Sequence, residues 1–350
     1  MHPSQRSPAR LAQTVLCIRR TANPSMISPG NCARKPLCYH MHTVYNIWSK
    51  DQIEHLTDSD TTMNLTPTPA PAGRFVQANG RSFHLIETGQ GRPVFFLHGG
   101  GPGCTGWSDF GLVAPLFSRD CRCLLPDLLQ YGQSDKGTIS GPMWDFHAAC
   151  IVALMDELKI DRADFVCNSW GGTIALCLAA LHPTRVRSLT ITGSMPVFYG
   201  PLAPLPEGGR RGRNARDIYY GGEGPTKEKM RQLIARLEWS DASLLPDETV
   251  EMRYLQSLDP EEMALAARSD SPRGEWQDLT QELSRVQCPT LFCWGLNDAF
   301  LQPDYPMMLC RMVQRGQLHI LDASSHHLQE ERPEHYFAIV RSFLDQPDWR

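Results

Sequence analysis

The chain has 350 residues, of which 41% are apolar and 21% charged, and its formal net charge is -4. That composition is globular and long enough for one large α/β domain with an inserted part. It gives no general affinity for nucleic acid, and no apolar run approaches the ~18–20 residues of a membrane span.

Residues 1–50 stand apart. Their basic residues are Arg6, Arg10, Arg19, Arg20, Arg34, Lys35 and Lys50, and the first acidic residue is Asp51. An Arg-rich, acid-free start fits an organelle transit peptide. The preferred reading is a disordered extension from an upstream start, with Met63 as an alternative start. Thr66 to Pro71 (T-P-T-P-A-P) reads as an extended linker. Residues 1–73 are therefore expected to be a disordered extension and linker.

Phe75–Ala78 and Ser82–Ile86 flank Asn79-Gly80, a hairpin signal. Val94-Phe95-Phe96-Leu97 is a fully apolar run that suits a central strand. It feeds His98-Gly99-Gly100-Gly101-Pro102-Gly103. Leu124-Leu125-Pro126-Asp127 ends another strand, and a helix is predicted from Met143 to Leu158. Strand 163–167 runs into Asn168-Ser169-Trp170-Gly171-Gly172, a helix follows to Leu181, and Val186–Thr192 is the next strand. Strands alternating with helices imply a mostly parallel sheet covered on both faces.

After Ser194 the rhythm breaks. Met230, Leu233, Ile234 and Leu237 form an i, i+3, i+4, i+7 stripe. Strands return at Thr290–Trp294 and Gln317–Leu321, and a helix over 334–344 closes the chain. Residues 195–285 are thus expected to form a helical cap, with 74–194 and 286–350 as the core. A cap placed there covers the carboxyl edge of the sheet, where open α/β sheets bind ligands.

Three residues follow the carboxyl ends of strands in the order Ser169, Asp298, His326. A serine hydroxyl needs a base to become a nucleophile. Histidine can accept that proton near neutral pH and return it to a leaving group. The aspartate fixes the imidazole tautomer and stabilises the imidazolium. His327 competes with His326 for the base, and His326 is preferred. The Trp170 N–H, with one from the Gly99–Gly101 run at Gly100, would form an oxyanion hole. No Lys-Ser/Thr follows those glycines, so phosphate cradling is disfavoured. The twelve cysteines have irregular spacing and no C-x-x-C pair. They indicate no zinc site and read as reduced, buried residues of a cytosolic (cytoplasmic) protein.

At these residues the chain resembles the α/β-hydrolase superfamily and, within it, the meta-cleavage product hydrolases, over about Phe75 to Leu344. The matching stretches are His98–Gly103 with Gly106-Trp107-Ser108-Asp109-Phe110, the elbow Asn168-Ser169-x-Gly171-Gly172, and His326 with Glu331 and Pro333. The resemblance implies an α/β-hydrolase fold. It also implies hydrolysis of a carbon–carbon bond in a 2-hydroxy-6-oxo-dienoate-like product of aromatic ring cleavage. Substrate contacts are implied at Gly99, Gly101, Asp109, Asn168 and His327. Arg253 in a cap helix is implied as the anchor of the substrate carboxylate. No metal or organic cofactor is implied, and homo-oligomerisation is left open.

The chain departs from the family pattern at four points. Cys167 replaces the first elbow Gly, Asp109 an Asn, His327 a Trp, and Ser325 the Gly before the catalytic His. Two other enzymatic readings stay open, a carboxylesterase and a proline-iminopeptidase-like hydrolase. A non-enzymatic ligand receptor that retains the triad is the third alternative.

Overall fold

The computed structural model describes residues 65–198, 215–268 and 273–346, together with the strand Val44–Trp48. In chain order the strands are β1 Val44–Trp48, β2 Arg74–Ala78, β3 Arg81–Thr88, β4 Arg92–Leu97, β5 Cys121–Pro126 and β6 Ile139–Pro142. They continue as β7 Ala163–Asn168, β8 Val186–Thr192, β9 Arg273–Glu275, β10 Thr290–Gly295 and β11 Gly316–Leu321. Nine of them form one sheet in the order β1-β11-β10-β8-β7-β4-β5-β3-β2. Only the β2–β3 and β3–β5 pairs are antiparallel.

The hairpin turns where Asn79-Gly80 predicts. Asn79 (φ 49) and Gly80 (φ 69) are both left-handed, which gives a two-residue turn that matches the strand twist. The central strands alternate strictly. Phe95 and Leu97 of β4, Phe165 and Cys167 of β7, and Phe292 and Trp294 of β10 face one apolar layer. Val94, Phe96, Val166, Leu291 and Cys293 face the other. Helices Met143–Glu157, Ser169–Leu181 and Asp304–Met312 cover the first layer. Helices Gly106–Phe110, Ala114–Phe117 and Pro333–Leu344 cover the second. Strands buried on both faces are largely apolar, hence the long apolar runs in the sequence. Phe95 and Phe165 stack at 5.3 Å inside the first layer.

One expectation is corrected. Within the stretch 1–73 expected to be disordered, Val44–Trp48 lies as edge strand β1, parallel to β11 from Val44–Gln317 to Trp48–Leu321. Its sequence, V-Y-N-I-W, is rich in β-branched and aromatic residues that favour strands, and β11 offers it an open edge. The rest of the Arg-rich start lies outside the described residues.

Between β8 and β10 the described residues are mainly helical, with helices Lys227–Leu233, Asp247–Ser257 and Pro260–Ala266. The predicted stripe is present: Met230, Leu233 and Ile234 are buried with Tyr219, Trp239 and Val250 in a cluster of their own. The first helix widens into a π turn over Ile234–Glu238. The base of the inserted stretch is tied to the core, since the Leu279 amide donates to the Pro196 carbonyl at 2.8 Å and β9 pairs with β6.

Candidate active site

β7 ends at Asn168, and the chain turns at once into the helix Ser169–Leu181. Ser169 makes that turn with φ 50, a left-handed conformation costing a non-glycine residue about 1–2 kcal/mol. The fold sustains it because the following turn packs tightly. The Gly171 amide donates to the His98 carbonyl at 3.0 Å. A Cβ on Gly171 would lie 2.2 Å from the Leu97 carbonyl oxygen, so only glycine lets the helix sit this close to β4. The strain lifts the Ser169 side chain to the sheet's carboxyl edge.

His326 and Asp298 meet across the loops after β11 and β10. His326 Nδ1 is 3.0 Å from Asp298 Oδ2. The other Asp298 oxygen accepts the amides of Phe300 at 2.8 Å and Leu301 at 3.0 Å. An acceptor-only carboxylate held in this way keeps the imidazole proton on Nδ1 and leaves Nε2 as the ring's acceptor. Glu331 holds the loop from behind. One of its oxygens accepts the Ser325 amide at 2.8 Å, and the other accepts the amides of Ser240 and Asp241.

The glycine run after β4 is aimed by His98. The Leu128 amide donates to His98 Nε2 at 2.8 Å, so the ring proton sits on Nδ1 and is donated to the Gly99 carbonyl at 2.7 Å. Pinning that carbonyl turns the Gly100 N–H of the same peptide the opposite way. Tyr131 Oη donates to the Gly100 carbonyl at 3.0 Å and fixes the next peptide.

A cavity of about 390 Å³ lies over this edge. Gly99, Gly100, Gly101, Ser169, Trp170, His326 and His327 all line it, while Asp298 is buried behind His326. The size is within the usual range for small-molecule sites. Three residues implied as substrate contacts do not line it. Asp109 is buried and turned to the backbone, accepting the Gly99 amide at 2.7 Å and the Ser108 hydroxyl at 2.9 Å. Asn168 is fully buried beneath Gly99, with its amide unpartnered among the described residues.

Arg253 is the third, and the implied anchor is corrected. It is fully buried, and Glu238 grips its two terminal nitrogens at 3.0 and 3.2 Å. Its Nε donates to the Pro102 carbonyl at 3.0 Å. A guanidinium satisfied from within the protein has no fork left for a ligand. Burial opposes ionisation of Glu238, but Arg253 and His327 outweigh it and lower its pKa. His327 completes the network, with Nδ1 2.5 Å from Glu330. Burial alone would lower its pKa; the carboxylates of Glu238, Glu330 and Asp109 raise it to about 9. His327 is therefore an imidazolium at neutral pH, and it borders the cavity.

Three arginines also reach the cavity wall: Arg216, Arg268 and Arg273. Sequence reasoning missed them because none sits in a motif; Arg273 belongs to the three-residue strand β9. Trp276, also on the wall, packs edge-on against Trp144 and Trp170 at 5.5 and 5.4 Å.

Among the described residues, Cys104, Asp109 and His327 bring ligand atoms within 4.8 Å of one another. Burial pushes the Cys104 thiol well above its ordinary pKa, and the other two already hold hydrogen bonds. The trio fits an internal ion network better than a metal centre. The nine cysteines among the described residues are free and buried. No helix among them is long and apolar enough to cross a membrane.

Residues 92–333 match the family model described as the alpha/beta hydrolase fold. The chain is 33% identical over 294 residues to a 2-hydroxymuconate semialdehyde hydrolase of Pseudomonas sp. (strain CF600), covering 82% of this chain and 98% of that protein. It is 32% identical over 292 residues to a 2-hydroxy-6-oxo-2,4-heptadienoate hydrolase of Pseudomonas putida (F1), covering 81% and 100%. Among solved structures it resembles a variant of the meta-cleavage product hydrolase CumD from Pseudomonas fluorescens IP01. That match has a TM-score of 0.66 and 25% identity, over 78% of this chain and 98% of the other. The chain belongs to the α/β-hydrolase family, and it resembles the meta-cleavage product hydrolases within it.

Proposed function

We propose that this hydrolase cleaves a carbon–carbon bond next to a ketone in a 2-hydroxy-6-oxo-dienoate-like acid. The observation that carries the reading is the likeness, over 100% of its length, to a relative named for 2-hydroxy-6-oxo-2,4-heptadienoate. The shared cavity, lined by both Ser169 and His326, supports it.

The residues divide the work as follows. Ser169 is the nucleophile, His326 its base and Asp298 the group that orients His326. The dienol first takes up its ketone form, which places an electron-accepting carbonyl along the carbon leaving group. His326 removes the proton from the activated nucleophile as it adds to the distal ketone. The carbonyl oxygen then becomes an oxyanion between the Gly100 and Trp170 amides. Collapse breaks the C–C bond, its electron pair leaves as a stabilised carbanion, and His326 returns a proton to that carbon. The acyl group is left as an ester on Ser169. Water, deprotonated by His326, adds to that ester, and its collapse releases the acid and returns the proton to the Ser169 oxygen. Overall, water supplies a hydroxyl to the acyl fragment and a proton to the leaving carbon. Gly99 and Gly101 border the bound substrate, and His327 touches it where the family has a tryptophan.

A panel of a 2-hydroxy-6-oxo-dienoate, p-nitrophenyl esters and amino-acid anilides tests this. The dienoate is expected to have the highest kcat/KM. Turnover of esters alone would replace this reading with a carboxylesterase, and turnover of anilides alone with an aminopeptidase-like enzyme.

A further inference from the structure

We infer that Arg273, supported by Arg216, binds a carboxylate of the substrate in the cavity above Ser169. The inference rests on Ser169 and the cavity around it being the hydrolytic site.

Both arginines line that cavity. The Nη1 and Nη2 atoms of Arg273 are buried and have no hydrogen-bond partner among the described residues. The group lies over the Tyr131 ring, 4.9 Å from its centroid, so the ring face holds the cation while its terminal donors stay unused. Arg216 is only partly satisfied. It donates to the Gly100 carbonyl at 3.3 Å and to Glu262 Oε1 at 3.5 Å, and its Nε has no partner. That Glu262 oxygen also accepts from Tyr220 at 3.0 Å. No ion pair among the described residues joins Arg273 to Glu262, Glu238 or Asp217.

Two neighbouring cations thus share a single committed carboxylate. Burial lowers the pKa of Arg273, and the nearby charge of Arg216 lowers it further. An uncompensated buried charge is costly, and an anion arriving in the cavity would relieve it. A carboxylate matches the empty fork of Arg273 bidentately. The same wall carries the rings of Trp170 and Trp276, which suit the flat carbon skeleton of an unsaturated acid. Arg253 cannot take this role, because Glu238 already occupies its fork.

The carboxylate could lie on the acyl side of the scissile bond or on the leaving side, and three p-nitrophenyl or phenyl esters separate these sources. p-Nitrophenyl hydrogen succinate carries it on the acyl group, 4-acetoxybenzoate on the leaving group, and p-nitrophenyl butyrate carries none. The wild type is expected to favour at least one acidic ester over the neutral one. Arg273→Gln should lower that preference at least tenfold, with the loss mainly in KM, and Arg273→Lys should restore part of it. The ester that suffers identifies the end. Adipate binding measured by calorimetry gives a readout without turnover, and Arg273→Gln should weaken it at least tenfold. Equal losses on acidic and neutral esters, or no preference and no adipate binding in the wild type, would overturn the inference. If esters and dienoates all go unhydrolysed while adipate still binds through Arg273, the hydrolytic reading fails and the anion site stands.

Discussion

Arg253 is fully buried and Arg273 half-buried, and the two guanidiniums answer opposite needs. Each of the three guanidinium nitrogens of Arg253 has a partner in Glu238 or the Pro102 carbonyl. The terminal nitrogens of Arg273 are buried and meet no hydrogen-bond partner among the described residues, and the residue lines the cavity. A buried cation satisfied by its own protein fixes structure; one left unsatisfied beside a nucleophile is prepared for a ligand. Position in a family pattern favours Arg253 as the anchor. The charge inventory of the folded site favours Arg273.

The comparison can be broken or sharpened in four steps of decreasing effect. Ser169→Ala should reduce turnover by about 10⁴-fold or more while adipate binds as it does to wild type, separating chemistry from the anion site. Arg253→Ala should lower stability by about 3–5 kcal/mol, because buried Glu238 loses both of its hydrogen-bonded guanidinium contacts; urea unfolding measures this. The double change Arg253→Met with Glu238→Leu should recover most of that loss. Preference for acidic over neutral esters should survive in both. If the Arg253 variants instead lose that preference, the two arginines have been assigned the wrong way round. Arg273→Gln should show the reverse pattern, with near-native stability and at least a tenfold loss of preference.

The smallest effect is on pH dependence. The folded pKa of His327 is raised to about 9, above its ordinary value of about 6.5. Its contribution to stability is therefore complete below about pH 6.5 and lost as the pH rises through about 9. His327→Gln should flatten that part of the stability–pH curve. An unchanged slope would mean that the carboxylates of Glu238, Glu330 and Asp109 do not hold a proton on His327.

Much of this molecule was legible in its residues. The strands buried on both faces announce themselves as unbroken apolar runs, and Asn79-Gly80 announces its turn. Ser169, Asp298 and His326 are found because each stands just past such a run. What stayed hidden depends on contacts that leave no local trace. β6 reads I-S-G-P, with Gly141 at φ 76, and pairs only with the three residues of β9. The partner of Arg253 is 15 residues away, at the end of a π turn that a 3.6-residue pattern does not announce. Whether an arginine faces a carboxylate or a cavity is decided by packing of the inserted helices, so the sequence could suggest a cationic anchor but not select it.

The most direct measurement is the product balance for 2-hydroxy-6-oxo-2,4-heptadienoate incubated with the wild-type protein and followed by NMR. Hydrolysis of the bond beside the ketone predicts one acetate and one five-carbon 2-hydroxydienoate per substrate consumed. An intact dienoate, in the presence of protein that hydrolyses p-nitrophenyl butyrate, would contradict the account.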